Sequence, residues 1–386
     1  MEFINVKLSD IGEVVGGSTP STKNPDNYDG NIAWITPKDL AGYNKVYISK
    51  GERNITEMGF KSCSTKMLPK NSVLFSSRAP IGYVAISKND LCTNQGFKSI
   101  IPNDKIDYKF LYYLLKHNKD YIASKGSGST FKEVSGSVMK GIELSIPKNI
   151  NDQKKISKVL FDIDKKIESN NEINNNLYDI AQLELLKDLK KNTTKYIMEG
   201  LFYHITPGTN YQPNRVKSGI PFLNVKNISN GYIDFKDSKY ITEKDYEKVH
   251  KTWQPEENDL LISRIGTLGL VAVIRKEDLP LAVHYNFLDL KTDKIPFEFG
   301  YFLLKSDYFQ TKYKFNVKNS VQEYVTVDDI RKIEVNIPDL EILYKYKIYY
   351  NKILNIQREN RYLEQLRDTL LPKLMNGEID LDNIDI

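Results

Sequence analysis

The chain has 386 residues, 40% of them hydrophobic, and its 55 Lys+Arg against 50 Asp+Glu leave a formal charge of +5. That composition supplies cores for two or three domains, and its charge is too small to demand a nucleic-acid or membrane-surface partner by itself. No uncharged apolar run approaches the ~20 residues of a membrane span; the longest candidate, residues 260–274, is broken by Arg264 and two glycines.

In chain order, the first strand-like run is IAWI at 32–35, leading into a polar turn with Lys38. Ile55-Thr56-Glu57 follows, then NSVLFSSR at 71–78, a glycine-containing turn and a second strand at 83–86. Beyond these come Thr93-Asn94-Gln95-Gly96, a helical stretch with Leu114-Leu115-Lys116, and the small-residue loop around Lys125, Ser127 and Ser129. Residues 128–147 (GSTFKEVSGSVMKGIELSIP) close the series. A segment at 151–192 then takes helical spacing, with Ile156, Leu160, Ile163 and Ile167, an interruption by Asn170 and Asn174, and continuation at Leu177 and Ala181.

The chain then repeats itself. Residues 220–228 match 32–40 at an offset of 188, Ile241-Thr242-Glu243 match at 186, and ENDLLISR at 257–264 matches 71–78 at 186. A strand at 270–273 follows, then His284-Tyr285-Asn286, Leu303-Leu304-Lys305, and residues 319–338 aligned without a gap to 128–147 at 191. After this copy, Ile342, Tyr346, Tyr349, Ile353, Ile356, Asn360 and Leu363 step by fours and threes, and Leu370 and Leu374 resume the series. That is a coiled-coil seam with Arg367 as its misfit. The plainer alternative is a pair of amphipathic helices packed on their own domains. Against it, ~35–40 helical residues span ~50–60 Å, more than a compact module needs.

The order is therefore module, helix, module, helix: 1–150, 151–192, 193–339 and 340–386. The expected class is α+β, with two similar modules separated by two long antiparallel coiled-coil helices in a pseudo-two-fold repeat. Seam asparagines weaken such a pair but fix its register.

Catalytic signatures are missing. His117, His204, His250 and His284 have no metal-ligand spacing with one another or with Cys63 and Cys92. The run 126–130 lacks the Gly-Lys-Ser/Thr ending of a phosphate loop. There is no GxSxG elbow and no Asn/Asp-Pro-Pro-aromatic tetrapeptide of the kind that holds a flipped base. Two cysteines and no signal-like leader fit a reducing cytoplasm without a structural disulfide.

Binding chemistry is repeated instead. Ser77-Arg78 and Ser263-Arg264 each place a guanidinium at a strand end, able to fork onto a phosphate or onto guanine O6/N7; pairing with a surface carboxylate is the competing use. Asn94 and Gln95 in the first copy, and His284, Tyr285 and Asn286 in the second, offer amide and ring edges that read adenine or cap turns. The loops before the matched repeat, with Lys125, Ser127 and Ser129 in the first copy and Lys318, Asn319 and Ser320 in the second, suit phosphate contact or are plain turns. Lys38, Lys98, Lys226 and Thr267 complete the candidate set. Together these favour binding of a phosphate- and base-bearing ligand over catalysis.

Three further stretches are specific. They are Lys7-Leu8-Ser9-Asp10-Ile11-Gly12 with Gly16-Gly17-Ser18-Thr19-Pro20; Ile146-Pro147 with Asp152-Gln153-Lys154-Lys155-Ile156; and Leu370-Leu371-Pro372-Lys373-Leu374-Met375-Asn376-Gly377-Glu378-Ile379. With them, essentially the whole chain resembles the specificity subunits of type I restriction–modification systems. The resemblance implies that the ligand is double-stranded DNA and that each module is a target recognition domain reading half of a split DNA sequence. It implies that the helices form a spacer and dock two modification methyltransferase subunits, with restriction endonuclease/translocase subunits as further partners. S-adenosylmethionine, ATP and Mg would belong to those partners, and this chain would bind no cofactor or metal, catalyse nothing, and work in the cytoplasm. A DNA-independent coiled-coil adaptor and a stand-alone DNA-modifying enzyme are the alternatives. The second copy departs from the pattern, since Leu343-Tyr344-Lys345-Tyr346-Lys347-Ile348 replaces the Gln-Lys-Lys-Ile turn.

Overall fold

A computed structural model of the chain describes residues 1–379 apart from 79, 129–131, 230, 237, 252 and 319–321. The chain forms two compact units, Met1–Glu172 with Gln357–Ile386, and Ile173–Ile356. The module–helix–module–helix order is thus distributed so that each long helix contributes part of itself to each unit.

In the first unit, strand Phe3–Lys7 pairs antiparallel with Glu143–Pro147, so the start and end of the module are stitched together. A five-stranded sheet follows, in the order Gly12–Gly16, Lys98–Pro102, Val73–Phe75, Val84–Ser87, Tyr47–Ile48. Val73, Leu74 and Phe75 are all buried, as expected of a strand covered on both faces. Helix Tyr108–His117 packs against this sheet and buries Phe110, Leu111, Leu114 and Leu115.

The second unit repeats the plan. Thr193–Ile197 pairs with Glu334–Pro338, and a four-stranded sheet runs His204–Pro207, Phe287–Lys291, Leu260–Ser263, Val271–Val273. The Ile-Thr-Glu repeat has a physical reason: Ile55 and Ile241 are buried, and Thr56 and Thr242 cap short helices by accepting the N–H of Gly59 (3.0 Å) and of Asp245 (3.1 Å).

The first long helix is Ile150–Asp188 and the second is Tyr346–Met375. Gln153 sets the start of the first. It is fully buried, donates to the carbonyls of Pro147 (2.9 Å) and Lys105, and accepts the N–H of Asp107, the residue that caps helix Tyr108–His117. In the second copy exposed Tyr344 stands at the matching position, and the helix is broken there. A separate turn, Leu340–Leu343, precedes Tyr346, so Ile342 lies outside the long helix.

In the first unit the helices run antiparallel. Ile156 and Leu160 pack with Leu371, Leu374 and Met375, and Asn170 donates to Asn360 Oδ1 (2.8 Å). Asn360 donates in turn to Asn171 Oδ1 (2.9 Å), so the seam amides are satisfied across the helix pair, with Asn171 as the second acceptor. Arg367, the misfit in the apolar series, forms a 2.7 Å ion pair with Asp164, which also accepts the hydroxyl of buried Tyr113 (2.7 Å). In the second unit Ala181 and Leu185 pack with Tyr346, Tyr350 and Ile353. Among the described residues no helix is long and apolar enough to cross a membrane, and both cysteines are free thiols.

Candidate nucleic-acid interface

Each module turns back on itself after its central strand, and the two turns are built from the same bonds. In the first, Ser76 N–H donates to Tyr83 O (2.9 Å) and Gly82 N–H to Ser76 O (3.0 Å). The Ser76 hydroxyl donates to Pro80 O (2.9 Å) and accepts Tyr83 N–H (2.8 Å). In the second, Ser263 N–H donates to Leu270 O and Gly269 N–H to Ser263 O, both 2.9 Å. The Ser263 hydroxyl donates to Thr267 O (2.6 Å) and accepts Leu270 N–H (2.8 Å). Both turns close on a glycine in the left-handed region, Gly82 (φ 102°) and Gly269 (φ 75°).

The true offset here is 187, and the expected match of Ser77-Arg78 to Ser263-Arg264 is corrected by one residue. Ser263 stands where Ser76 does, and Arg264 where Ser77 does. Ser77 N–H donates to Gly96 O (2.7 Å) and its carbonyl accepts Val134 N–H (2.9 Å); Arg264 makes the same backbone bonds to Asn286 O (2.7 Å) and Val325 N–H (3.0 Å). The counterpart of Arg78 is Ile265, since both bridge the closing segment, at Glu133 and Tyr324. The shared Ser-Arg dipeptide reflects like letters in adjacent registers.

That register decides what the side chains can do. Ser77 and Ser263 are fully buried with their hydroxyls bonded to backbone carbonyls, so neither is available to a ligand, a correction to their place among the candidates. Arg264 is half-buried and donates to the carbonyls of Tyr285 (3.0 Å) and Val325 (3.3 Å), which ties these two loop segments together. Arg78 is about half exposed and its Nε donates to Glu133 (3.0 Å). Lys98, mostly buried, reaches the same carboxylate at 3.4 Å. Burial pushes the Glu133 carboxyl up, but Arg78 and Lys98 together pull it below the usual range.

The second candidate place does coincide between modules. Asn94 N–H donates to Ile35 O as His284 N–H does to Leu223 O, and each residue's carbonyl accepts the N–H of the phenylalanine three residues on. Asn94 Oδ1 and His284 Nδ1 both accept the N–H two residues ahead, from Gly96 and Asn286. Gln95 is exposed and accepts the hydroxyl of Thr19. Tyr285 packs against His284 with ring centres 4.4 Å apart and the planes tilted by 46°.

At the third place, Ser127 and Glu133 exchange backbone bonds (3.0 and 2.8 Å), as Lys318 and Tyr324 do (2.9 and 3.3 Å). Lys318 Nζ pairs with Asp329 at 2.9 Å. Lys125 is exposed, with Nζ 4.9 Å above the Tyr121 ring. Lys38 pairs with Glu52 on the surface (2.7 Å). Ser129, Asn319 and Ser320 lie outside the described residues.

In the second module an open cleft of about 450 Å³ brings Lys226, Thr267 and Asn286 together, with Asn224 and Gln322 beside them. An ammonium, a hydroxyl and amides converging on a solvent-open hollow suit a phosphate-bearing, hydrogen-bonding ligand edge. Among the described residues no group of three or more His, Cys, Asp or Glu is placed to hold a metal ion.

A family model described as type I restriction modification DNA specificity domain matches residues 2–178 and again 202–365. The chain belongs to this family. It is 35% identical to the type I restriction enzyme MjaIX specificity subunit of Methanocaldococcus jannaschii, over 98% of this chain and 94% of that one. It is 30% identical to the EcoR124I/EcoR124II specificity subunit of Escherichia coli over 41% of this chain and 40% of that one. The solved S subunit of a type I restriction–modification system from M. genitalium shares the fold, with a TM-score of 0.58, 18% identity, and coverage of 97% and 96% of the two chains.

The two specificity domains of the chain hold site residues that the sequence did not single out. Glu133, Asp329 and Thr19 each engage a candidate side chain. Glu133 was within reach: it stands against Tyr324 in the gapless alignment of 128–147 with 319–338, and mismatches inside a matched frame mark the variable tips.

Proposed function

We propose that this chain is the DNA-reading subunit of a type I restriction–modification complex, each specificity domain recognising one half of a bipartite target. The observation that carries this is a backbone framework repeated bond for bond, with different side chains at matching tip positions. In a chain 35% identical over 98% of its length to a specificity subunit, that is the design of two readers with separate targets. Lysines and arginines position the duplex on its phosphates, and tip residues read base edges. Half-sites read from one face of B-DNA lie ~10 bp apart centre to centre. The long helices dock the modification and restriction subunits and act as the ruler between half-sites. Methylation of adenine with S-adenosylmethionine, and ATP- and Mg-dependent translocation and cleavage, then belong to the partners, in the cytoplasm, with no catalysis by this chain.

The test is sequencing of methylated adenines in cells carrying this chain with its modification partner. Replacing residues 5–146 by the matching domain of another specificity subunit changes one half-site and leaves the other. Methylation at unsplit or unchanged sites defeats the reading, as does methylation by this chain alone. Adding a helical turn to both long helices shifts the spacing between halves, and an unaltered gap would remove the ruler.

A further inference from the structure

The framework contacts of the two modules recur at fixed offsets; the ion pairs at their tips recur in kind but at different positions. In the first module Glu133 holds Arg78 at 3.0 Å and Lys98 at 3.4 Å. In the second module Tyr324 occupies the backbone place of Glu133 and cannot do this. There Lys318, at the place of Ser127, is held at 2.9 Å by Asp329, and the first module has Val138 at the matching position. The acid–cation pair beside the closing segment was therefore assembled twice from unrelated positions. A contact needed only for packing would follow the framework, as the capping residues Ser135 and Thr326 do, accepting the N–H of Val138 (3.2 Å) and of Asp329 (3.1 Å).

We propose that Glu133 and Asp329 are built-in counter-anions, each occupying a tip cation where a DNA phosphate would otherwise bind. The inference rests on the DNA-reading function above and extends it. Non-specific binding draws almost wholly on cation–phosphate contacts. A cation already paired within the protein offers little to an arbitrary phosphate, because the intramolecular pair must be broken first. At the cognate site, correct base-edge contacts bring the phosphate into register and compensate for that exchange. Glu133 and Asp329 thereby set the ratio between cognate and random binding. Their side-chain exposure fits such a role: Glu133 is 34% exposed and Asp329 27%, within reach of a duplex yet fixed by their partners.

The experiment compares Glu133→Gln and Asp329→Asn with wild type, as the full chain assembled with its modification subunits, on cognate and random duplexes across a salt series. Each variant is expected to bind random duplex several-fold more tightly at low salt. Its plot of log affinity against log salt steepens by about one unit for each freed cation, while cognate affinity changes less. Adding Arg78→Gln to Glu133→Gln should lower the random-duplex slope again by about one unit, the share of the freed Arg78. Unchanged random binding in both variants overturns the proposal, and so does loss of cognate binding alone, which would make Glu133 a reader of cytosine N4 or a support for Lys98. If Glu133→Gln unfolds, Asp329→Asn decides by itself, since its partner Lys318 lies on the surface. Wild-type complex that binds no duplex at all fails the function itself; wild type that binds with unmoved variants fails only this inference.

Discussion

The two units make the same joints with different atoms. In the first, the buried carboxylate of the long-helix pair is Asp164, held by Arg367 and Tyr113; in the second it is Asp188, held by Lys345, Lys191 and Tyr346. In the sheets, Ser99 of the first stands where Asp289 stands in the second, and both are fully buried. The helix carboxylates differ in how many cations hold them, and at the sheet position a carboxylate replaces a hydroxyl. What differs between duplicated joints, then, is how much depends on any one residue.

The helix joint should show this most strongly. Arg367 is the cationic partner of Asp164, with side chains only 17% and 8% exposed. Arg367→Met leaves a buried carboxylate with one tyrosine hydroxyl and should cost about 3–5 kcal/mol of unfolding free energy. Lys345→Met leaves Asp188 with Lys191 and Tyr346 and should cost about 1 kcal/mol or less. Chemical denaturation of the two variants measures the difference directly. Equal losses would mean that the joints are interchangeable.

The sheet difference predicts a gain. Asp289 accepts no hydrogen bond from an N–H, the His204 ring stands 3.5 Å away with its pKa pushed down by burial, and Asp259 lies beside it, itself paired with Lys291 at 3.3 Å. Burial first, and the Asp259 charge second, push the Asp289 carboxyl well above the ordinary value, while Lys291 opposes them and Glu256 adds to them. The folded protein thus keeps a proton that the unfolded chain releases above about pH 4, so this group's contribution falls as pH rises through that window. Asp289→Ser, the residue of the first module, should stabilise the second unit by about 2 kcal/mol near neutral pH and by little below pH 4. A melting series against pH reads both ends; a gain at low pH would mean the carboxyl is not the cause.

Much of this was legible in the sequence. Seam spacing located both long helices because burial follows the 3.6-residue period whatever the partner. The Ile-Thr-Glu repeat encodes local capping bonds, and local bonds leave local patterns. The second helix start was less legible, since Tyr344 where Gln153 would be gives no capping signal. Arg367 read as a misfit because its partner Asp164 lies 203 residues away, and no period reports a long-range pair. The tips were hardest. Registers there are set by backbone bonds, while alignment follows letters, so Ser-Arg matched Ser-Arg one residue out of place.

That single residue separates two arginines that looked equivalent, and the smallest predicted effects follow from it. Arg264 donates to two carbonyls from different segments, so Arg264→Ala strands half-buried acceptors and should cost about 1 kcal/mol. Arg78 has one carboxylate partner and is 46% exposed, so Arg78→Ala should fall within about 0.5 kcal/mol of wild type. The binding readout should invert the order. Arg78→Ala removes a cation from the tip and flattens the salt dependence of cognate binding, whereas Arg264→Ala acts through the position of Tyr285 and Asn286 and should weaken cognate affinity without changing the slope. A shared role at offset 186 would instead make the two variants alike in both measurements. Stability and salt slope, taken on the same pair, therefore decide the register as well as the function of each arginine.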